Sequence, residues 1–138
     1  MNATSVTDSP GNALFIIVNA TPFDWRSGQN NTLWQGVNGI NNPCPTGYRL
    51  PTEAELNAER VVFSTQNAAG AFASPLKLPM AGGRDLSSGS LAFVGSSGYC
   101  WSSTLSGSRA RRLGFNSVNA SLNTNDRAFG FSVRCLKD

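Results

Sequence analysis

Apolar positions along the chain change their period more than once. ALFIIV (13–18) is a short β-branched run and predicts a first strand. Residues 19–43 are turn-rich and show no helical period, with Trp25 and Trp34 as the expected core anchors. After NPCPTGYRLP the pattern becomes helical. Thr52 and Glu55 spell the S/T-x-x-E capping box with Thr52 as the N-cap. Ala54, Ala58, Val61 and Val62 then recur at i, i+4, i+7 and i+8, which predicts one buried helix face. QNAAGAFA (66–73) predicts a second short helix, broken by Gly70 and ended by Pro75. LKLPM (76–80) reads as a short strand that Pro79 confines to an edge or an end.

From residue 81 the texture changes to glycine and serine, as in AGGRDLSSGSLAFVGSSGYCWSST. In RRLGFN, Leu113 and Phe115 alternate with Arg112, Gly114 and Asn116. In FGFSVRC, Phe129, Phe131, Val133 and Cys135 alternate with Gly130, Ser132 and Arg134. Period-two alternation predicts two half-buried strands. SVNASLNTNDRA between them is a loop by composition. The pattern predicts an α+β domain, with one or two early helices and a small antiparallel sheet that closes it.

The length, 138 residues, suits one domain with a core of its own. Charged residues make up 14% of the chain, which favours a loop-rich mixed fold over a helical bundle. The chain contains no histidine, which removes Ser-His and Cys-His nucleophile pairs and the commonest zinc ligand. Cys44, Cys100 and Cys135 show no CxxC spacing, which argues against a zinc site. No apolar run reaches the length of a membrane span, and MNATSVTDSP lacks the basic and apolar regions of a signal peptide. Residues 1–12 read as a flexible N-terminal segment ahead of a domain at 13–138.

Net charge is +3, with seven basic and three acidic residues in 81–138. Arg109, Arg111 and Arg112 form the basic cluster. Two readings stay open for it: contact with an anionic ligand such as an acidic glycan, or a solvated strand edge. No aromatic platform is interleaved with it, so nucleic acid is not expected as a partner.

One compositional feature is sharper. Glu, Gln, Lys and Met together occur nine times in residues 1–80 and not once in 81–136. Asn codons altered at their adenines reach Asn, Ser, Thr, Asp, Gly, Arg, Tyr, Cys, Phe, Leu and Val, among others, but never Glu, Gln, Lys, Met or Trp. The stretch therefore contains what such a process can make, with Trp101 as its one tryptophan. Sampling fluctuation in a glycine- and serine-rich segment is the plainer alternative.

NPCPTGYRLPTEAEL (42–56), GYCWSST (98–104) and RAFGFSVRCLKD (127–138), in that order, resemble the FISUMP-type C-type lectin-like domains. More narrowly, they resemble the variable proteins of diversity-generating retroelements. The resemblance covers residues 13–138 and implies a C-type lectin-like fold whose irregular upper half binds ligand, with a variable region at about 81–136. It implies a protein or glycan receptor on a target cell, display on a virion or cell surface, and either a monomer or a trimer; membrane insertion is not expected from the apolar pattern. It also implies pairing of Cys44 with Cys135, leaving Cys100 as the odd thiol.

Period and resemblance together nominate Tyr99, Cys100, Arg109, Arg111, Arg112, Gly114, Asn116, Asn123, Thr124, Asn125, Asp126 and Phe129 as variable, ligand-facing positions. Arg84, Asp85, Ala92, Phe93 and Ser97 form a second tier. Leu113, Phe115, Phe131 and Val133 are the expected frame. Phe129 is in conflict, since alternation places it with the core.

No cofactor is expected. The triplets with which sugar-binding C-type lectins hold calcium are absent from the sequence. Asn123, Asn125 and Asp126 are of ligating type, but a polar turn is their simpler reading. A structural calcium ion elsewhere is not indicated. Formylglycine-generating enzymes share the broader fold, but their reactive cysteine pair does not map onto these cysteines, so catalysis is not expected. An invariant adhesive domain of a cell-surface protein is the alternative function.

Overall fold

The computed structural model describes residues 4–138. It is a small α+β domain with elements β1 (Tyr48–Arg49), α1 (Glu53–Val61), α2 (Ala68–Ala73), β2 (Gly83–Arg84), β3 (Leu91–Ala92), β4 (Ser97–Ser106), β5 (Arg109–Asn116), β6 (Ala120–Asp126) and β7 (Leu136–Lys137). The main sheet is antiparallel in the order β4-β5-β6; β2 pairs with β3 and β1 with β7 in two-stranded sheets.

The capping box forms as the residues predict. Thr52 Oγ1 accepts from the Glu55 N–H at 3.2 Å, and the Thr52 N–H donates to Glu55 Oε2 at 2.8 Å. The buried face of α1 differs from the predicted one. Ala54, Ala58, Val61 and Val62 are exposed, and Leu56, 1% exposed, is the residue that enters the core. Burying one leucine contributes about 1.5–3 kcal/mol, which outweighs two alanine methyls and two valines at a fraying end.

Gly70 does not break α2. It lies inside the helix, where a Cβ would meet the Thr65 carbonyl oxygen at 1.9 Å, so the glycine lets the preceding loop pack against the helix. Asn67 caps the helix by accepting from Ala69 and Gly70. Residues 76–80 form no strand, since Lys77 sits at φ +51° and turns the chain. Residues 13–18 form none either. Ile16 and Val18 are buried, and Val18 N–H donates to the Leu86 carbonyl, but no ladder follows. Ser5, within the segment 1–12, is buried and exchanges backbone hydrogen bonds with Trp25 and Ser27.

The second half also departs from its pattern. SVNASLNTNDRA is not a loop; β6 occupies residues 120–126 of it. FGFSVRC is not a strand; only isolated bridges, Arg84 with Gly130 and Cys100 with Ser132, touch it. Val133, assigned to the frame, is 36% exposed. Trp25 and Trp34 are half-buried, whereas Trp101 is the deeply buried tryptophan at 3% exposure.

The main core lies between the helices and one face of the sheet. Leu56, Phe63, Ala71 and Leu78 pack there on Cys100, Leu113, Phe115 and Ala120. A second cluster joins Ile16, Val18, Leu86 and Ala128, with Phe23, Trp25 and Phe129 against it. Cys44 and Cys135 are bridged, next to the β1–β7 pair. Among the described residues no helix is long and apolar enough to cross a membrane. The disulfide is compatible with an extracellular location.

Arg49 ties β1 to α1 and to the last residue, through Glu55 at 2.8 Å and Asp138 at 2.7 Å. Arg49 and the Thr52 N–H hold the Glu55 carboxyl down to about 2, below its ordinary 4.5. A carboxyl depressed in the folded state adds stability that is complete above the unfolded value and lost as pH falls through the folded one. Thermal melts across that window should therefore show Tm falling from about pH 4.5 towards 2, with Glu55→Gln flattening the decline. The effect is small, because the Glu55 side chain is 38% exposed and its ion pair is screened by solvent.

Candidate functional site

Side chains alternate between the faces of a strand, and directly paired residues share a face. The register pairs Cys100 with Leu113 and Leu113 with Leu122, and Phe115 with Ala120; this is the core face. It pairs Tyr99 with Gly114, Trp101 with Arg112, and Arg112 with Asn123; this is the outer face. The strand pair slips between Trp101 and Leu105, where the Ser103 N–H donates to the Pro51 carbonyl and Thr104 Oγ1 accepts from the Glu53 N–H. The irregularity docks β4 on the start of α1.

The predicted ligand-facing residues divide along this register. Tyr99, Arg112, Gly114, Asn116, Asn123 and Asn125 lie on the outer face, with Ser97 opposite Asn116 at its end. Cys100, Arg109, Arg111, Thr124 and Asp126 lie on the other. Cys100 is corrected outright: at 2% exposure it belongs to the core and faces no ligand. Burial pushes its thiol up to about 11, so it stays protonated and inert at neutral pH. A thiol reagent should leave Cys100 unmodified in the native protein and label it only after denaturation. Labelling within minutes under native conditions would contradict its burial.

The three arginines form no common patch. Arg111 pairs with Glu53 on α1 beneath the sheet, and Arg109 pairs with Asp126 across the strand ends at 2.8 Å. Arg112 alone turns to the outer face. Asn123, Asn125 and Asp126 do not converge either. Asn125 Oδ1 accepts from Arg112 Nε at 2.7 Å, Asn123 Oδ1 accepts from the Thr124 N–H, and Asp126 serves Arg109. Asn116 Oδ1 accepts from the Val118 and Asn119 N–H groups and so shapes the β5–β6 turn.

On the outer face lies a cleft of about 150 Å³. One wall is the β2–β3 hairpin with Arg84, Asp85 and Ala92, continued by Phe93. The floor is Tyr99, Arg112 and Asn125, one from each strand of the main sheet. Phe129 and Phe131 close the far side. Eight of the lining residues were nominated from the sequence. Phe131 was assigned to the frame; it stacks on Tyr99 and tilts against Trp101, each at 4.7 Å between centroids, and on Phe129 at 5.5 Å. Its alternation matched a strand, and the only neighbouring aromatic residue in the sequence, Phe129, does not distinguish a stack from a ladder.

Local chemistry holds these groups. Asp85 Oδ1 accepts from the N–H and hydroxyl of both Ser87 and Ser88, which forms the hairpin turn and lowers the Asp85 carboxyl below its usual range, the Ser87 hydroxyl leading. Phe93 sits at φ +61° and is 62% exposed, with its ring edge-on to Tyr99 at 6.3 Å. A left-handed phenylalanine is costly. It persists here because the Phe93 carbonyl accepts from the Ser96 and Ser97 N–H groups. The Arg112 guanidinium lies over the Tyr99 ring, 4.9 Å from its centroid. Desolvation lowers the pKa of Arg112 against the opposing pull of Tyr99.

Among the described residues no group of three or more His, Cys, Asp or Glu is placed to hold a metal ion. No protein-family model matches the chain, and no curated protein or solved structure matches it significantly.

Proposed function

We propose that the chain is a ligand-binding variable protein of C-type lectin-like architecture, diversified by a retroelement. It recognises a protein or glycan receptor through the cleft on the outer face, displayed on a virus particle or cell surface. The observation that carries this reading is the meeting of Arg84, Asp85, Ala92, Phe93, Tyr99, Arg112, Asn125 and Phe129 in one cleft. All eight come from the stretch that lacks Glu, Gln, Lys and Met. The reverse of the same strands is core. Changes on one face can therefore proceed without repacking the other.

The cleft's polar groups are arginine, asparagine and an aspartate already engaged by serines, a set suited to holding a ligand rather than transforming one. Tyr99, Phe93 and Arg112 are the side-chain types that dominate binding hot spots.

Sequencing of sibling genes and their flanks tests the reading. Substitutions should gather at the outer-face and hairpin positions, spare Leu113, Phe115, Ala120 and Leu122, and match a nearby template repeat beside a reverse-transcriptase gene. Variation spread evenly over residues 13–138, with no template, would leave an invariant adhesive domain as the better account.

A further inference from the structure

Six ion pairs are formed among the described residues; Arg112 is in none of them, nor are Arg60, Arg84 and Arg134, and of these four only Arg84 and Arg112 line the cleft. Arg26, Arg49, Arg109, Arg111 and Arg127 each have a carboxylate. Arg112 is instead held by neutral groups. Asn125 accepts from its Nε, and the Tyr99 ring lies under its guanidinium. Gly114 completes the seat, because a Cβ there would lie 1.8 Å from Arg112 Nη1. The guanidinium thus lies over Tyr99 and reaches into the space a side chain at 114 would fill. It is half-buried and partly desolvated, and its charge is unmatched.

We propose that the cleft takes a carboxylate carried on a single ring, of the size of a uronic acid, with the acid on Arg112 and the ring against the aromatic walls. The inference rests on the binding-face reading above and names its ligand class.

Charge gives the sign. An aromatic pocket alone would suit a cation, but here the protein supplies its own cation on the Tyr99 face. A planar guanidinium held at Nε keeps its terminal nitrogens in the fork that matches a carboxylate. Arg84 adds a second positive group at the rim, where its Nη1 is anchored on the Gly89 carbonyl at 2.7 Å, and the acid of the same wall, Asp85, is taken up by Ser87 and Ser88, so two arginines face one engaged carboxylate. Size gives the rest. About 150 Å³ is well below the roughly 300–1,000 Å³ of clefts that enclose drug-sized molecules. It seats one ring and its substituent. Phe93, Phe129 and Phe131 offer faces and edges to a ring.

Gly114 acts here as a positioning residue. A methyl at 114 collides with the far end of a flexible side chain rather than with backbone, so the strand tolerates it and Arg112 yields.

The test is an NMR titration of the whole protein with matched pairs: glucuronate against glucose, and benzoate against benzyl alcohol. The acids should shift Tyr99, Phe129 and Phe131 ring signals, and the neutral partners should not at equal concentration. Arg112→Gln should weaken acid binding by about ten-fold or more, in line with loss of a charge-assisted contact. Gly114→Ala should weaken it too, with the melting temperature unchanged. Equal shifts from acids and neutral rings, or acid binding that survives Arg112→Gln, would overturn the carboxylate assignment while leaving a binding face. Silence of the cleft signals towards every probe would also overturn it. The sibling-gene comparison judges the face independently.

Discussion

Reduction of the Cys44–Cys135 bridge, or replacement of both cysteines by serine, should lower the unfolding free energy by about 4–5 kcal/mol. The bridge joins residues 91 apart, and in the chain-entropy account a loop of that length gains nearly the full effect. The native neighbourhood has other ties that should survive. Tyr48 and Arg49 pair with Lys137 and Leu136, Arg49 binds Asp138, and the Asp138 N–H donates to the Gly47 carbonyl. The loss should thus appear in the unfolded chain, as a lower urea midpoint with a native spectrum unchanged before the transition. For a domain whose total stability is about 5–15 kcal/mol, such a loss is a large part of the whole. A decrease below about 1 kcal/mol would mean that the bridge restrains little beyond what β1 and β7 already hold.

The second large effect separates neighbours in the sequence. Leu113→Ala should cost about 2–5 kcal/mol, because Leu113 is fully buried between the sheet and the helices. Arg112→Ala, one residue earlier, should cost under about 1 kcal/mol, since it loses a contact with Asn125 and a ring face but leaves no cavity in the core. Denaturant unfolding of the two variants side by side measures the contrast. Similar losses would refute the two-sided sheet on which the functional reading rests.

Local chemistry was legible in the residues. The capping box needs only Thr52 and Glu55, three positions apart, and it forms. The face of α1 was misread because counting apolar positions gives Ala54 and Ala58 the same weight as Leu56, whereas burial scales with area. Strands β4 and β6 were hidden for a different reason. Their serines, glycines and asparagines have weak strand preference, and the central strand β5 holds both through its ladders. Residues 129–135 show the converse: clean alternation, but the chain there turns Phe129 and Phe131 into an aromatic stack instead of a ladder. The cleft was half visible. Alternation marks Arg112 and Gly114 as sharing a face, but it does not bring the β2–β3 hairpin over them. Nor did composition show that Arg109 and Arg111 are engaged by acids on the opposite side.

The packing of Phe131 on Trp101 gives the protein a built-in optical probe. Trp101 is 3% exposed and lies beneath Phe131, which lines the cleft. A ligand that shifts Phe131 alters the surroundings of an indole otherwise shielded from water. Occupancy should then be readable from the intrinsic emission, with no label attached. Trp25 and Trp34 contribute a background that Trp101→Phe would isolate, so any surface variant of this domain can be screened for binding in plain buffer.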